Sequence, residues 1–85
     1  MKYGVYAIKD DLIGYANPFI ETSEMTARRT FKHLVENKNT AAGMNWKDCS
    51  IWHIGMYDDQ SGELTGIHPE LIMTGAEVKA TEKEI

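Results

Sequence analysis

The 85-residue chain has a single cysteine, Cys49, and only two prolines, Pro18 and Pro69. A lone cysteine excludes an internal disulfide, and with it the stapled frameworks of small secreted domains, and points to a compartment of reduced thiols. Long hydrophobic runs are missing too. No stretch approaches the ~20 apolar residues that a membrane span needs, and the opening Met1-Lys2-Tyr3-Gly4-Val5-Tyr6-Ala7-Ile8 lacks an apolar segment of signal-peptide length. The expectation is a soluble, unprocessed protein with no membrane partner. Positive charge is scarce as well: nine Lys and Arg stand against thirteen Asp and Glu, a net charge of -4. That balance opposes long-range capture of bulk polyanions, so any nucleic-acid contact has to be local. No CxxC, HxxxH or HExxH spacing, Walker loop, Rossmann glycine fingerprint or Ser-His-Asp set occurs. The sequence therefore assigns no catalytic residue, no metal site and no cofactor, and reads as a protein that binds rather than an enzyme.

What is present suits one small globular domain, because 42% hydrophobic and 26% charged residues can build a core but 85 residues can build only one. Tyr3, Val5 and Ala7 alternate with Tyr6 and Ile8, which predicts a first strand over 2–9 closed by Asp10-Asp11. Gly14 to Asn17 before Pro18 reads as a loop, with Phe19 and Ile20 anchoring it to the core. Ser23 offers a capping hydroxyl with carboxylates beside it, and Ala27, Phe31, Leu34 and Val35 follow on one stripe, so a helix is expected over 23–37. The segment 39–48 reads as a connection, with Met44 and Trp46 packing down as a lid. Cys49 to Tyr57 carries apolar residues in both alternating sets, as a central strand covered on each face would, with Trp52, Ile54 and Met56 on one side. Asp58-Asp59-Gln60-Ser61-Gly62 supplies a turn into a hairpin strand over 63–67, Pro69 interrupts, and Leu71-Ile72-Met73 forms a short last strand. The fold class is thus α+β, one helix packed on a small, mostly antiparallel sheet in the order strand-helix-strand-strand-strand. A single domain spans 1–75, and 76–85 is a charged tail, frayed or weakly helical.

Three segments, Tyr15-Ala16-Asn17-Pro18-Phe19, Ala27-Arg28-Arg29-Thr30-Phe31 and Ile54-Gly55-Met56-Tyr57-Asp58-Asp59-Gln60-Ser61-Gly62-Glu63-Leu64, occur in the order and spacing of a known family. Through them the chain resembles, almost end to end, the small nonstructural protein of gokushovirus-type microviruses (Microviridae), bacteriophages with single-stranded DNA genomes. The resemblance implies a protein made in the host cytoplasm during infection and absent from the capsid. It also implies a role in DNA replication, in the switch to single-strand synthesis, or in DNA packaging. It carries no agreed catalytic residue with it.

Candidate binding residues come from the chemistry of the side chains. Arg28, Arg29, Lys32 and His33 fall across the helix axis from Ala27 and Phe31, a basic face able to hold phosphates. The same face is also that of an ordinary solvated helix with Lys32 and Glu36 paired four residues apart. Tyr3, Tyr6, Trp52 and Tyr57 lie on predicted strands, and exposed strand aromatics can stack unpaired bases at about 1–3 kcal/mol each. Trp52 reads more simply as core, so the nucleic-acid-binding set is Arg28, Arg29, Lys32, Tyr3 and Tyr57. Cys49 and His53 share a strand face but stand about 13 Å apart, too far to ligate one ion, and His33 and His68 are scattered singly. Asp10-Asp11 and Asp58-Asp59 would converge on a cation only if their strands ran parallel, and turn chemistry explains both pairs. One helix covers one side of a sheet, so a homodimer through strand edges or the uncovered face is expected. Single-stranded DNA, the phage replication initiator and host replication proteins are the other candidate partners. The alternative is a protein-interaction module that never touches DNA.

Overall fold

The computed structural model describes residues 1–82. Its strands are β1 (Lys2–Asp10), β2 (Gly14–Tyr15), β3 (Phe19–Glu21), β4 (Cys49–Asp58) and β5 (Leu64–Thr74). Its helices are α1 (Glu24–Glu36), α2 (Ala41–Met44) and α3 (Gly75–Glu82), and a 3₁₀ turn, Trp46–Asp48, leads into β4. All strand pairings are antiparallel: β1 lies between β4 and the short strands β2 and β3, and β5 forms the edge beyond β4. The fold is α+β with a mostly antiparallel sheet, as the sequence indicates. No described helix is long and apolar enough to cross a membrane.

Helix α1 forms where the caps and the stripe agree. Ser23 Oγ accepts from the Thr26 N–H at 3.2 Å while Thr26 Oγ1 accepts from the Ser23 N–H at 3.1 Å, a reciprocal box that satisfies two otherwise unpaired donors. Ala27, Phe31 and Val35, four residues apart, are fully buried against the sheet. The core lies on this one side: Tyr6, Cys49 and Ile51 from the strands meet Phe31, Ala42 and Val78 from the three helices.

Several expectations are corrected by what the strands do. The register of β1 on β4 passes from Val5 opposite Gly55 to Tyr6 opposite His53, which leaves Ile54 as an extra residue on β4. Alternation breaks at such a bulge. Trp52, opposite Ala7, therefore faces away from the helices, whereas Met56, opposite Gly4, lies on the helix side, so these residues do not share a face. Nor is β4 covered on both faces, since every helix packs on the same side. Pro69 does not split the last segment. It sits inside β5, an edge strand, where a missing N–H costs no ladder bond, and the register widens around it from Gly55–Gly66 to His53–Glu70. The loop expected from Gly14 to Asn17 contains the two-residue β2, and Ile20 of β3 is half exposed while Phe19 packs on the core.

The segment 39–48 holds α2, capped by Thr40, whose Oγ1 accepts from the Gly43 N–H at 2.9 Å. Trp46 packs against the core but Met44 is 66% exposed, so only half of the expected lid forms. Where a charged tail, frayed or weakly helical, is expected over 76–85, Gly75–Glu82 is a helix whose Val78 is buried in the core, and residues 83–85 lie outside the described part. The start of α3 passes so close to the 3₁₀ turn that a Cβ on Gly75 would meet the Trp46 carbonyl.

Candidate functional site

Aromatic side chains collect on the sheet face opposite the helices. Strand alternation sends Tyr6 and Ile8 into the core and Tyr3, Val5, Ala7 and Lys9 to the other side. The bulge at Ile54 then restores phase on β4, so Tyr57 stands directly opposite Tyr3 on the neighbouring strand. Further along, the Trp52 indole N–H donates to Ser50 Oγ at 2.8 Å, which fixes the ring against the sheet. Tyr15, opposite Lys9 on β2, meets Trp52 edge to face with centroids 6.3 Å apart and an interplanar angle of 79°.

Lys9 completes this corner. Its Nζ lies 5.5 Å from the Tyr15 ring centroid and 5.6 Å from that of Trp52, within the range at which a cation is drawn to aromatic faces. Val5 and Ala7, on the same face, are buried, so the larger side chains close over them. Apolar groups border the rings: Ile20 and Leu71 are each 49% exposed and Leu64 is 67% exposed, opposite Val5, Trp52 and Tyr57 respectively. No ladder position on this face carries Asp or Glu. Asp59, just past β4, bonds the Met1 ammonium at 2.8 Å, and its charge holds the Tyr3 phenol above its ordinary pKa of 10.0, so that hydroxyl stays protonated at neutral pH.

The expected binding residues separate into two groups. Tyr3 and Tyr57 come together, but Arg28, Arg29 and Lys32 sit on α1, on the far side of a molecule whose smallest extent is 21 Å. Arg28 is held by Glu24 at 3.1 Å. Arg29 and Lys32 are exposed and have no ion-pair partner among the described residues, so the Lys32–Glu36 pair that the spacing permits is not formed. A single strand stacked on the tyrosines does not also run along the helix. Lys9, Tyr15 and Trp52, the centre of the aromatic face, were not among the expected residues. The signal for Lys9 was legible, since it lies three alternations from Tyr3; Trp52 was hidden by the bulge.

The remaining candidates resolve structurally. Because β1 and β4 are antiparallel, with Asp10 opposite Cys49 and Lys2 opposite Asp58, the aspartate pairs stand at opposite ends of the sheet, about 26 Å apart. Each makes a turn: Asp10 Oδ1 accepts from the Leu12 N–H and Asp58 Oδ1 from the Gln60 N–H, both at 2.9 Å, and Gly62 takes a φ of 75°. Burial, and then the charges of Asp10, Asp48 and Asp11, push the Cys49 thiol up from its ordinary pKa, which keeps it protonated. His53 stacks on Tyr6 with centroids 5.0 Å apart, and its Nδ1 lies 4.0 Å from Glu70. Among the described residues no three His, Cys, Asp or Glu side chains form a group able to hold a metal ion.

No curated protein and no solved structure matches the chain. A family model does, over residues 3–78, which is nearly the whole of the described fold and includes both tyrosines and the Lys9–Tyr15–Trp52 corner. On that match, the chain belongs to the Phage ORF5 protein family.

Proposed function

We propose that this phage protein binds single-stranded DNA on its open sheet face and so acts, without catalysis, in genome replication or in the switch to single-strand synthesis and packaging. The microvirus-type nonstructural protein that the sequence resembles, at work in the host cytoplasm, is the setting for that role. The observation that carries the reading is the ring-lined face itself: Tyr3 beside Tyr57, and Trp52 and Tyr15 under Lys9, with no carboxylate in the ladder between them. Unpaired bases present flat apolar faces and phosphates at their margins. Rings on a rigid sheet stack the former, and one lysine among them meets the latter. A net charge of -4 makes this binding short-range, so it selects splayed bases over duplex, whose bases are hidden.

Fluorescence anisotropy with a labelled oligothymidylate at low salt tests the proposal. Trp52→Ala and Tyr57→Ala are each expected to weaken binding about 5- to 150-fold, the equivalent of about 1–3 kcal/mol per stacked base. Arg28→Ala with Arg29→Ala, on the opposite side, is expected to change it less than about twofold. Absence of binding at low salt, or unaltered affinity in the ring variants, would refute it.

A second reading rests on the half-exposed Ile20, Leu64 and Leu71 around the rings. An apolar border of this kind also suits a second copy or another protein laid on the same face. A homodimer formed there excludes DNA, so oligonucleotide binding that weakens as protein concentration rises distinguishes this case.

A further inference from the structure

A second apolar surface lies on the helix side, at the hairpin end of β1, and of the residues in the DNA reading it shares only Tyr15, which borders both. A cavity of about 320 Å³ opens between the β1–β2 hairpin and the junction of α1 with α2, walled by Ile8, Ile13, Leu34, Ala41, Ala42 and Cys49. That volume is at the lower end of sites that take a large apolar group. The hairpin tip continues the surface outward: Leu12 and Ile13 are 82% and 86% exposed, an unusual cost in water for two adjacent aliphatic side chains. Sequence patterning accounts for neither, because the turn is already made by Asp10 and by Gly14 at a φ of 118°.

The rim of this cavity is acidic. Asp10 is the one charged residue lining it. The Asp11 N–H donates to the Asp48 carbonyl at 2.9 Å, which brings those two residues to the same edge. The charges of Asp10, Asp48 and Asp11 all reach the Cys49 thiol in the wall. The basic residues adjacent in sequence are turned elsewhere: Lys9 lies over Tyr15 and Trp52 on the opposite face, and Lys47 lies over the Trp46 ring at 5.6 Å.

We infer that the groove between the β1–β2 hairpin and the α1–α2 junction docks a basic, amphipathic segment of another polypeptide. One large apolar side chain enters the cavity, its neighbours cover Leu12 and Ile13, and flanking Lys or Arg meet Asp10, Asp11 and Asp48. Two observations set this occupant apart from others. A small apolar ligand would fill the cavity but leave Leu12 and Ile13 in water, and nucleic acid would meet three carboxylates. An amphipathic segment satisfies both the apolar tip and the acidic rim. The inference does not rest on the sheet-face reading, although Tyr15 borders both surfaces, and its test contains no DNA.

The probe is a synthetic peptide of about 18 residues, five helical turns of Leu and Lys in amphipathic order, titrated into the full chain labelled with ¹⁵N. Saturable binding is expected, with amide shifts at Ile8, Ile13, Leu34 and Ala42 and affinity that falls with salt. Leu12→Ser with Ile13→Ser, on exposed positions that leave the melting temperature in place, is expected to weaken binding about tenfold or more. Asp11→Asn is expected to weaken it about threefold and to flatten the salt dependence. The inference is overturned if no saturable binding occurs, if a Leu and Glu peptide of the same order binds as well, or if the double variant binds like the parent. It is equally overturned if the shifts map to Tyr3, Tyr57 and Trp52. Matching shifts on concentrating the protein alone would make a second copy the occupant, and 1-heptanol binding as tightly as the peptide would make it a small apolar ligand; either result overturns the inference.

Discussion

Lys9 stands next to Asp10 in sequence and acts on the other side of the sheet from it. Strand geometry alone separates the two charges, one serving the rings and the other the hairpin turn. At the same scale, Asp58 shows what a turn aspartate contributes. Its carboxylate accepts from the Gln60 N–H, and that bond is the main reason its pKa lies below the ordinary 3.8. A carboxyl whose pKa is lowered by folding adds stability that is complete above the unfolded value and disappears as pH falls through the folded one. Thermal melts of the parent and Asp58→Asn should therefore differ at pH 6 and converge as pH falls below the ordinary 3.8. A constant gap across that range would show that the ionised carboxylate contributes nothing. The structure also explains why Trp52 misleads a reader of sequence: its apolar neighbours at alternate positions look like one core face, but Trp52 follows the buried Ile51 and points outward, while the extra residue Ile54 puts Met56 on the other side.

Helix α1 was legible because two independent signals coincide in it, the Ser23–Thr26 box and the spacing of Ala27, Phe31 and Val35. Helix α3 was not, because it has one core side chain. Among its described residues Val78 is the one side chain in the core cluster, and a lone valine between charged residues shows no period. Tertiary packing adds to a local cap at its start, where Thr74 Oγ1 accepts from the Glu77 N–H at 3.1 Å. Accordingly, Val78→Ala should cost about 2 kcal/mol and Gly75→Ala about 1–3 kcal/mol, both read from denaturant midpoints. Ser23→Ala, which removes only a cap, should cost about 1 kcal/mol. If Gly75→Ala proves neutral, the close approach of α3 to the Trp46 carbonyl is not tight. The position of the basic helix face relative to the aromatic face was beyond sequence patterning altogether, since periodicity says which side of a helix is dry but not which side of the sheet it covers.

For the molecule as a whole, the decisive fact is that every helix packs on one side of the sheet. No described helix covers the other side. Sedimentation at tens of micromolar should reveal pairs of twice the 9.6 kDa chain mass in the absence of DNA, dissociating as an oligonucleotide is added. A strict monomer would remove the dimer and leave the DNA reading intact. Pro69 then acquires a meaning beyond its own strand. An exposed border of backbone amides is an invitation to lateral recruitment, copy after copy, into a ribbon with no natural stopping point. A residue without an amide hydrogen, set in the middle of that border where the pairing has already slipped, withdraws the invitation. Association through stacked faces ends at two, whereas association through joined borders does not. The proline thus weighs against fibres grown through that border.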